Sequence, residues 1–426
     1  MGIIKRIFAE NYASFADRIE FTCESVNNQK KHEQNTFISG DTELNLVSLI
    51  YGANGSGKSY FCSIIQSIQK ALFYSFIAGT PNQDFSKYQQ VPSIKLQPKG
   101  FAFDTSYKEK ATTLGLELII DGIQYHYEFS IYNNEVISEI LRKKRRRTET
   151  ILSRTSPDYK SIEVKSEFKQ FDSIKHIVRN DALCLATASN CNISLARDII
   201  NSINQIIILK MATPHLDPPD MDLFSDEKMR QYVKILRNAD PTIAKMNATF
   251  SEHTRPNTSE NLEDREFIQK YIKVGINSEH YLYKKGKKTN KTTSDIEFFN
   301  EESLGTVKLF TALPYLLDVI EHGGILIVDE IENGLHLNLA KDIINLFLSK
   351  KHNPFNAQLI CTSHQPLLLD GTNTKRDQVW IMHKDSSGKC YLDRLSNDPS
   401  TRLQSSLSNK LINGAMGCNP DPFFDN

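Results

Sequence analysis

The stretch YGANGSGKSY, residues 51–60, follows the apolar run LNLVSLIYG (44–52) and precedes apolar positions at Phe61, Ile64, Ile65, Ile68, Ala71 and Leu72. The run before it lacks polar alternation and suits a strand buried on both faces. The positions after it recur at helical spacing and predict a helix from Lys58 to about residue 77. Strand, glycine-rich turn and helix form the context in which Gly52–Ser59, matching G-x-x-x-x-G-K-[ST], reads as a phosphate loop rather than a structural turn. The small residues Gly52, Ala53, Asn54, Gly55, Ser56 and Gly57 let backbone N–H groups converge on a phosphate, and the helix start adds partial positive charge. Lys58 is in reach of β- and γ-oxygens, Ser59 offers a hydroxyl to Mg²⁺, and Tyr60 is grouped with them. The expected ligands are ATP and Mg²⁺.

Composition bounds what such a loop serves. Charged residues make up 24% and apolar residues 39% of 426, with Lys+Arg and Asp+Glu equal at 51 each. That profile predicts an ordinary folded chain, either one elaborated domain or a core with an insertion. Zero net charge argues against generalised polyanion binding, so any nucleic acid must meet a local patch. Apolar runs such as GGILIVD (323–329) fall short of the roughly 20 residues of a membrane span, and MGIIKRIFAENY carries no secretory signature. A cytoplasmic protein without a membrane partner is expected. Cysteines 23, 62, 184, 191, 361, 390 and 418 form no C-x-x-C pair, which leaves neither zinc site nor disulfide framework supported.

Organisation follows from changes of period. GIIKRIFAENY and DRIEFT alternate as strands, followed by a polar loop from about 26 to 42. LGLELIID, IQYHYEFSIY and EVISEIL, joined by turns at Asp121-Gly122 and Asn133-Asn134, predict an antiparallel meander. Helical stretches are expected near 165–180, 195–205 and 226–247, broken by TPHLDPPD and ending in the polar linker SEHTRPNTSENLEDRE. Strands resume near 267. The predicted fold is α/β, a mixed central sheet plus antiparallel meander (1–164), a helical insertion (165–265) and a C-terminal part of the same core (266–426). No repeat or sustained heptad pattern is visible.

Three later motifs complete the loop's chemistry. ILIVDE (325–330) is a buried-strand pattern that delivers Asp329 toward the metal's water shell and puts Glu330 where it polarises an attacking water. CTSHQP (361–366) ends an apolar strand with His364, positioned to sense a γ-phosphate. ESLGTVKLF (302–310) opens a helix with Ser303 and Gly305, a second anion site, and Pro314 should kink that helix.

In this order the motifs resemble those of ATP-binding-cassette (ABC) ATPases. The resemblance implies an ABC-type head that forms a homodimer or higher even oligomer, the Ser303–Gly305 signature of one copy completing the nucleotide site of another. ENGLH (332–336) is similar to the dimer-facing loop of the RecF, SMC and OLD branch. NLVSLIYGANGSGKS, IIDGIQYHYEFSI, the 301–336 stretch, AQLICTSHQPLLLD and RDQVWIMHKDSSGKCYLDRLS resemble the AbiLi and RloA group of abortive-infection ATPases, assigned to AAA15 or AAA21, with the PARIS ATPase subunit AriA as a neighbour. That likeness implies an anti-phage ATPase controlling a separately encoded effector, frequently Toprim-like. The short stretch after His364 leaves an OLD-type nuclease function to a partner.

The sequence also departs from its relatives. They usually carry NFRSF where this chain has Asn11-Tyr12-Ala13-Ser14-Phe15, so if that arginine holds phosphate in them, either another group replaces it here or hydrolysis is slow; they also tend to have proline where Leu337 stands. Gln97 is the candidate for the coupling glutamine. LRKKRRRT (141–148) puts six basic residues, Arg142–Arg147, in a row, either a contact for DNA, RNA or an acidic partner or a solvated hairpin end. YKKGKKTNK (283–291) reads as a solvated lysine hairpin. The alternative function is a RecF/SMC-like DNA clamp.

Overall fold

The computed structural model describes residues 2–26, 33–77, 96–212, 224–256, 268–370, 372, 374–397 and 408–409. The chain divides into two units, one comprising Met1–Leu209, Asp318–Glu332 and Ala340–Asn426, the other Lys210–Leu317 and Asn333–Leu339.

The first unit opens with β1 (Gly2–Glu10), β2 (Ile19–Thr22), β3 (Thr36–Ser39), β4 (Thr42–Asn45) and β5 (Val47–Tyr51), which leads into α1 (Lys58–Ile77). β6 (Thr112–Ile120), β7 (Ile123–Tyr132), β8 (Glu135–Lys144), β9 (Thr148–Arg154) and β10 (Glu163–Val164) follow, then α2 (Cys184–Asn190), α3 (Ser194–Asn204) and β11 (Ile207–Lys210). The second unit holds α4 (Asp226–Leu236), β12 (Ile243–Pro256), β13 (Ile268–Lys284), β14 (Lys287–Thr292), β15 (Ile296–Glu297), α5 (Phe298–Glu301) and most of α6 (Leu304–His322). β16 (Ile325–Asp329), α7 (Leu337–Leu348), β17 (Gln358–Ser363), β18 (Val379–Lys384) and β19 (Cys390–Arg394) return to the first unit, save the first turn of α7.

Two large sheets, with the small β3–β4 hairpin beside them, build the first unit. A six-stranded mixed sheet runs β11-β16-β17-β5-β18-β19, with β16, β17, β5 and β18 parallel and β19 antiparallel. Its central strands β5, β16 and β17 are buried at every position, as unalternating apolar runs demand. The expected meander is an antiparallel seven-stranded sheet, β10-β9-β8-β7-β6-β1-β2. Gln358, 1% exposed, joins the sheets: its side chain accepts from Ile4 N at 2.8 Å and donates to Ile4 O at 3.0 Å. β2 pairs only with Arg6–Ala9 of β1, so the outer edge of Ile4 is free for this amide.

The second unit is partly β where helix was expected. α4 stops at Leu236 rather than near 247, because Asp240 precedes Pro241 and its Oδ1 accepts from Thr242 N (2.9 Å) and Oγ1 (2.6 Å), making a turn in place of a helical step. The start of the expected polar linker, 251–256, continues β12 and pairs with β13 through Pro256↔Ile268. Its remainder, like TPHLDPPD and Cys418, lies outside the described residues. The 165–180 stretch is 3₁₀ helix (Ser166–Ser173, Lys175–Ile177): three residues per turn set Phe168 and Phe171 in line, both 0% exposed. Part of the supposed 26–42 loop is the β3–β4 hairpin, and α6 is continuous through Pro314.

Candidate nucleotide site

β5 ends at Tyr51, and the chain turns through Gly52–Gly57 into α1. Only glycine fits the first turn: a Cβ on Gly52 would stand 2.4 Å from Met382 O and 2.5 Å from Ser56 Oγ. Gly57, at φ +103, takes a left-handed conformation, and a Cβ there would meet Ser14 Oγ at 2.9 Å. Lys58, 6% exposed, donates through Nζ to Gly52 O (2.7 Å) and Ala53 O (2.9 Å), which holds the ammonium over the loop. Asn54, Gly55, Ser59 and Tyr60 are exposed, whereas Ser56 Oγ is buried and has no hydrogen-bond partner among the described residues.

The ends of β16 and β17 meet beside this loop strand. Thr362 donates through Oγ1 to Asp329 Oδ1 at 2.7 Å, and the same hydroxyl accepts from Glu330 N at 2.8 Å. Cys62, one turn into α1 beyond Ser59, has Sγ 3.9 Å from Asp329 Oδ1, so α1 packs against the buried acid. Glu330 has φ +57, a left-handed backbone in a non-glycine residue, where β16 breaks its extended course. Glu332 accepts through Oε1 from His364 N (2.8 Å), and the same oxygen lies 3.0 Å from His364 Nδ1. Burial pushes the Tyr51 phenol well above its ordinary value, with charge on Cys361, Glu332 and Asp370 adding to the effect.

In the second unit Ser303 caps α6: its Oγ accepts from Thr306 N at 3.2 Å, and its O accepts from Val307 N at 3.0 Å. A Cβ on Gly305 would lie 2.8 Å from Gly334 O, so the start of α6 touches the backbone of the ENGLH loop. Lys308, 4% exposed, pairs with Asn333 Oδ1 of that loop. Glu302 accepts from Ser278 Oγ at 2.5 Å and lies 2.6 Å from His280 Nε2, tying the signature to β13. Leu304 is 64% exposed.

The first unit thus brings together the loop residues, Asp329, Glu330 and His364, while Ser303 and Gly305 belong to the second. Thr362, Glu332, Lys308 and Asn333 escaped the sequence reading; a threonine ending an apolar strand and the alternate acid of D-E-I-E were the available signals. Ala13, at φ +50, donates through N to Lys99 O at 2.7 Å, and Lys99 Nζ reaches Tyr60 Oη at 3.4 Å, bringing a cation to the edge of the loop. Gln97 Oε1 accepts from Asn134 N (3.3 Å) at the β7–β8 turn. A cradle that a Cβ would fill, an exposed Ser59 hydroxyl and a buried Asp329 carboxylate fit a triphosphate with Mg²⁺, which takes one or two protein oxygens plus phosphate.

A glycine loop between a parallel strand and a helix, with an acid-tipped strand one position removed in the sheet, defines a P-loop NTPase. The chain belongs to the family described as "AAA domain, putative AbiEii toxin, Type IV TA system", whose profile matches residues 47–183 and 221–370. Among solved structures it is similar to the SMC head domain from Thermotoga maritima at 12% identity, over 92% of this chain and 98% of that one, with a TM-score of 0.32, too distant to carry argument. No curated protein sequence matches it. Among the described residues no helix is long and apolar enough to cross a membrane.

Proposed function

We propose that this chain is a cytoplasmic ABC-type ATPase that dimerises through composite nucleotide sites and controls a separately encoded effector, a Toprim-like nuclease by resemblance, in anti-phage abortive infection. The observation that carries the ATPase reading is the convergence of Lys58, Asp329, Glu330 and His364 at the ends of the parallel strands β5, β16 and β17 of one mixed sheet. Lys58 and the loop N–H groups bind and orient the β- and γ-phosphates. Glu330 orients the attacking water and takes its proton, and His364 contacts the γ-phosphate. Ser59, with Asp329 acting through the water shell, would hold Mg²⁺, which neutralises charge on the phosphate oxygens. Ser303 and the exposed Leu304 at the head of α6 support a role for that surface in meeting a second copy. The family's association with a type IV toxin–antitoxin system supports a two-gene module.

Glu330→Gln tests this reading: the variant should bind ATP with unchanged affinity, hydrolyse it about 10²- to 10⁴-fold more slowly and accumulate as an ATP-bound dimer. Wild-type turnover, or a monomer throughout, removes the corresponding half of the proposal.

One observation favours the clamp as a second reading. Lys144, Arg145, Arg146 and Arg147 are exposed at the β8–β9 turn, whereas Lys143 pairs with Glu167. Neutralising Arg145–Arg147 should weaken any salt-dependent DNA affinity and make the negative slope of log K against log salt shallower by about 3. Unchanged binding eliminates this turn as the contact.

A further inference from the structure

We infer that Glu332 is a positioning residue for His364, fixing both its backbone and its ring so that one defined nitrogen meets the γ-phosphate. The inference rests on the assignment of His364 made above. One carboxylate oxygen serves two groups of the same residue, His364 N at 2.8 Å and Nδ1 at 3.0 Å. A carboxylate oxygen accepts, so the facing Nδ1 donates its hydrogen to Glu332; a phosphate oxygen likewise only accepts, so Nε2 must also carry a hydrogen when it meets the γ-phosphate, which makes the ring there an imidazolium facing the Glu332 carboxylate. The two side chains differ in exposure as this division of labour requires: Glu332 is 9% exposed and the His364 ring 47%.

The second carboxylate oxygen sharpens the point. Among the described residues Glu332 Oε2 is buried without a hydrogen-bond partner, so the contacts of this carboxylate with His364 run through Oε1. Tyr51, which leads into the phosphate loop, likewise has a buried hydroxyl without a partner. The acid is therefore held for what Oε1 does.

The lacing beyond the β16–β17 ladder shows how its position arises. The parallel register ends at Val328↔Cys361. Past it, side chains and one further backbone bond take over: Thr362 Oγ1 joins Asp329 to the Glu330 N–H, Ile331 N donates to the Thr362 carbonyl at 3.1 Å, and Glu332 takes His364. The left-handed step at Glu330 separates the two glutamates, one beside Thr362 and the other on the histidine.

The test is a double-mutant cycle on the full chain. Glu332→Gln keeps the shape and an acceptor for the backbone N–H while removing the charge. It should lower kcat about tenfold, the scale seen when an orienting partner is lost, with KM and ATP affinity unchanged. In a His364→Ala background the same substitution should have no further effect. In the nucleotide-free protein, the imidazole ¹H–¹⁵N signals that vanish in His364→Ala should shift in Glu332→Gln. Multiplicative losses in the cycle, or unmoved imidazole signals, overturn the inference and leave the role of His364 intact. Full turnover by His364→Ala instead overturns the role of His364, and the inference with it. Should Glu332→Gln not fold, Glu332→Asp, which withdraws the carboxylate by one methylene, supplies the same cycle.

Discussion

At the scale of single residues, Thr362 carries the tightest constraint in the candidate site. Its hydroxyl accepts from Glu330 N and donates to Asp329 Oδ1, so it orients the buried acid and pins the left-handed step in one contact. Thr362→Val preserves the branched shape and strips both bonds. Orphaning a buried N–H and a carboxylate oxygen should cost about 1–3 kcal/mol, read as a lower Tm in nucleotide-free protein, together with slower turnover. An unchanged melting curve would show that the hydroxyl holds nothing. The acids themselves were legible, because an apolar run ending in Asp-Glu after a phosphate loop restricts their use. The partner of Glu332 was not: alternation along a strand predicts which side a residue faces only while the backbone stays extended, and at φ +57 Glu330 ends that rule two residues too early.

Among elements, α6 inverts a familiar preference. In a helix, glycine is worth about 1 kcal/mol less than alanine, so Gly305→Ala would ordinarily stabilise. Here the added Cβ would lie 2.8 Å from Gly334 O, and backbone on both sides must shift. The substitution should cost about 1–3 kcal/mol of stability while ATP binding at the Gly52–Ser59 loop persists. A rise in Tm would mean that α6 and the ENGLH loop are not in contact. The helix and its cap were readable from Ser303 and the apolar spacing that follows, since those signals are local. The end of α4 was readable in principle from Asp240-Pro241, yet the apolar spacing beyond it continued to suggest a helix, whereas Ile243 and Met246 are buried in β12. The 3₁₀ stretch around Phe168 and Phe171 fails for a similar reason, because a period of three is hard to tell from 3.6 over two turns.

For the whole molecule, the Gln358 amide ties β1 of the meander to β17 of the mixed sheet. Gln358→Met, close in volume, leaves Ile4 N and O buried without partners, and should cost about 2–4 kcal/mol in total. Thermal unfolding monitored by protection of amides in β1 and β5 should show β1 exchanging first; simultaneous exchange at wild-type stability would deny the clamp its importance. Nothing in the sequence announces this residue, because a glutamine at the head of an apolar strand looks like an ordinary boundary and its partner lies 354 positions away. The broad α/β class was accessible precisely where signals are short-range, in the loop, the acid strand and the hairpins.

The strand order also sets a timetable. β5, which presents the phosphate loop, lies between β17 and β18, so both of its hydrogen-bonding edges are supplied by residues 358–363 and 379–384. A ribosome making about 5–20 residues per second needs some tens of seconds to travel from one to the other. During that interval the nascent chain offers VSLIY as a bare apolar ribbon to whatever is nearby. The nucleotide pocket is therefore among the last parts of the chain to close, because β5 lacks both partners until residues 358–384 are made.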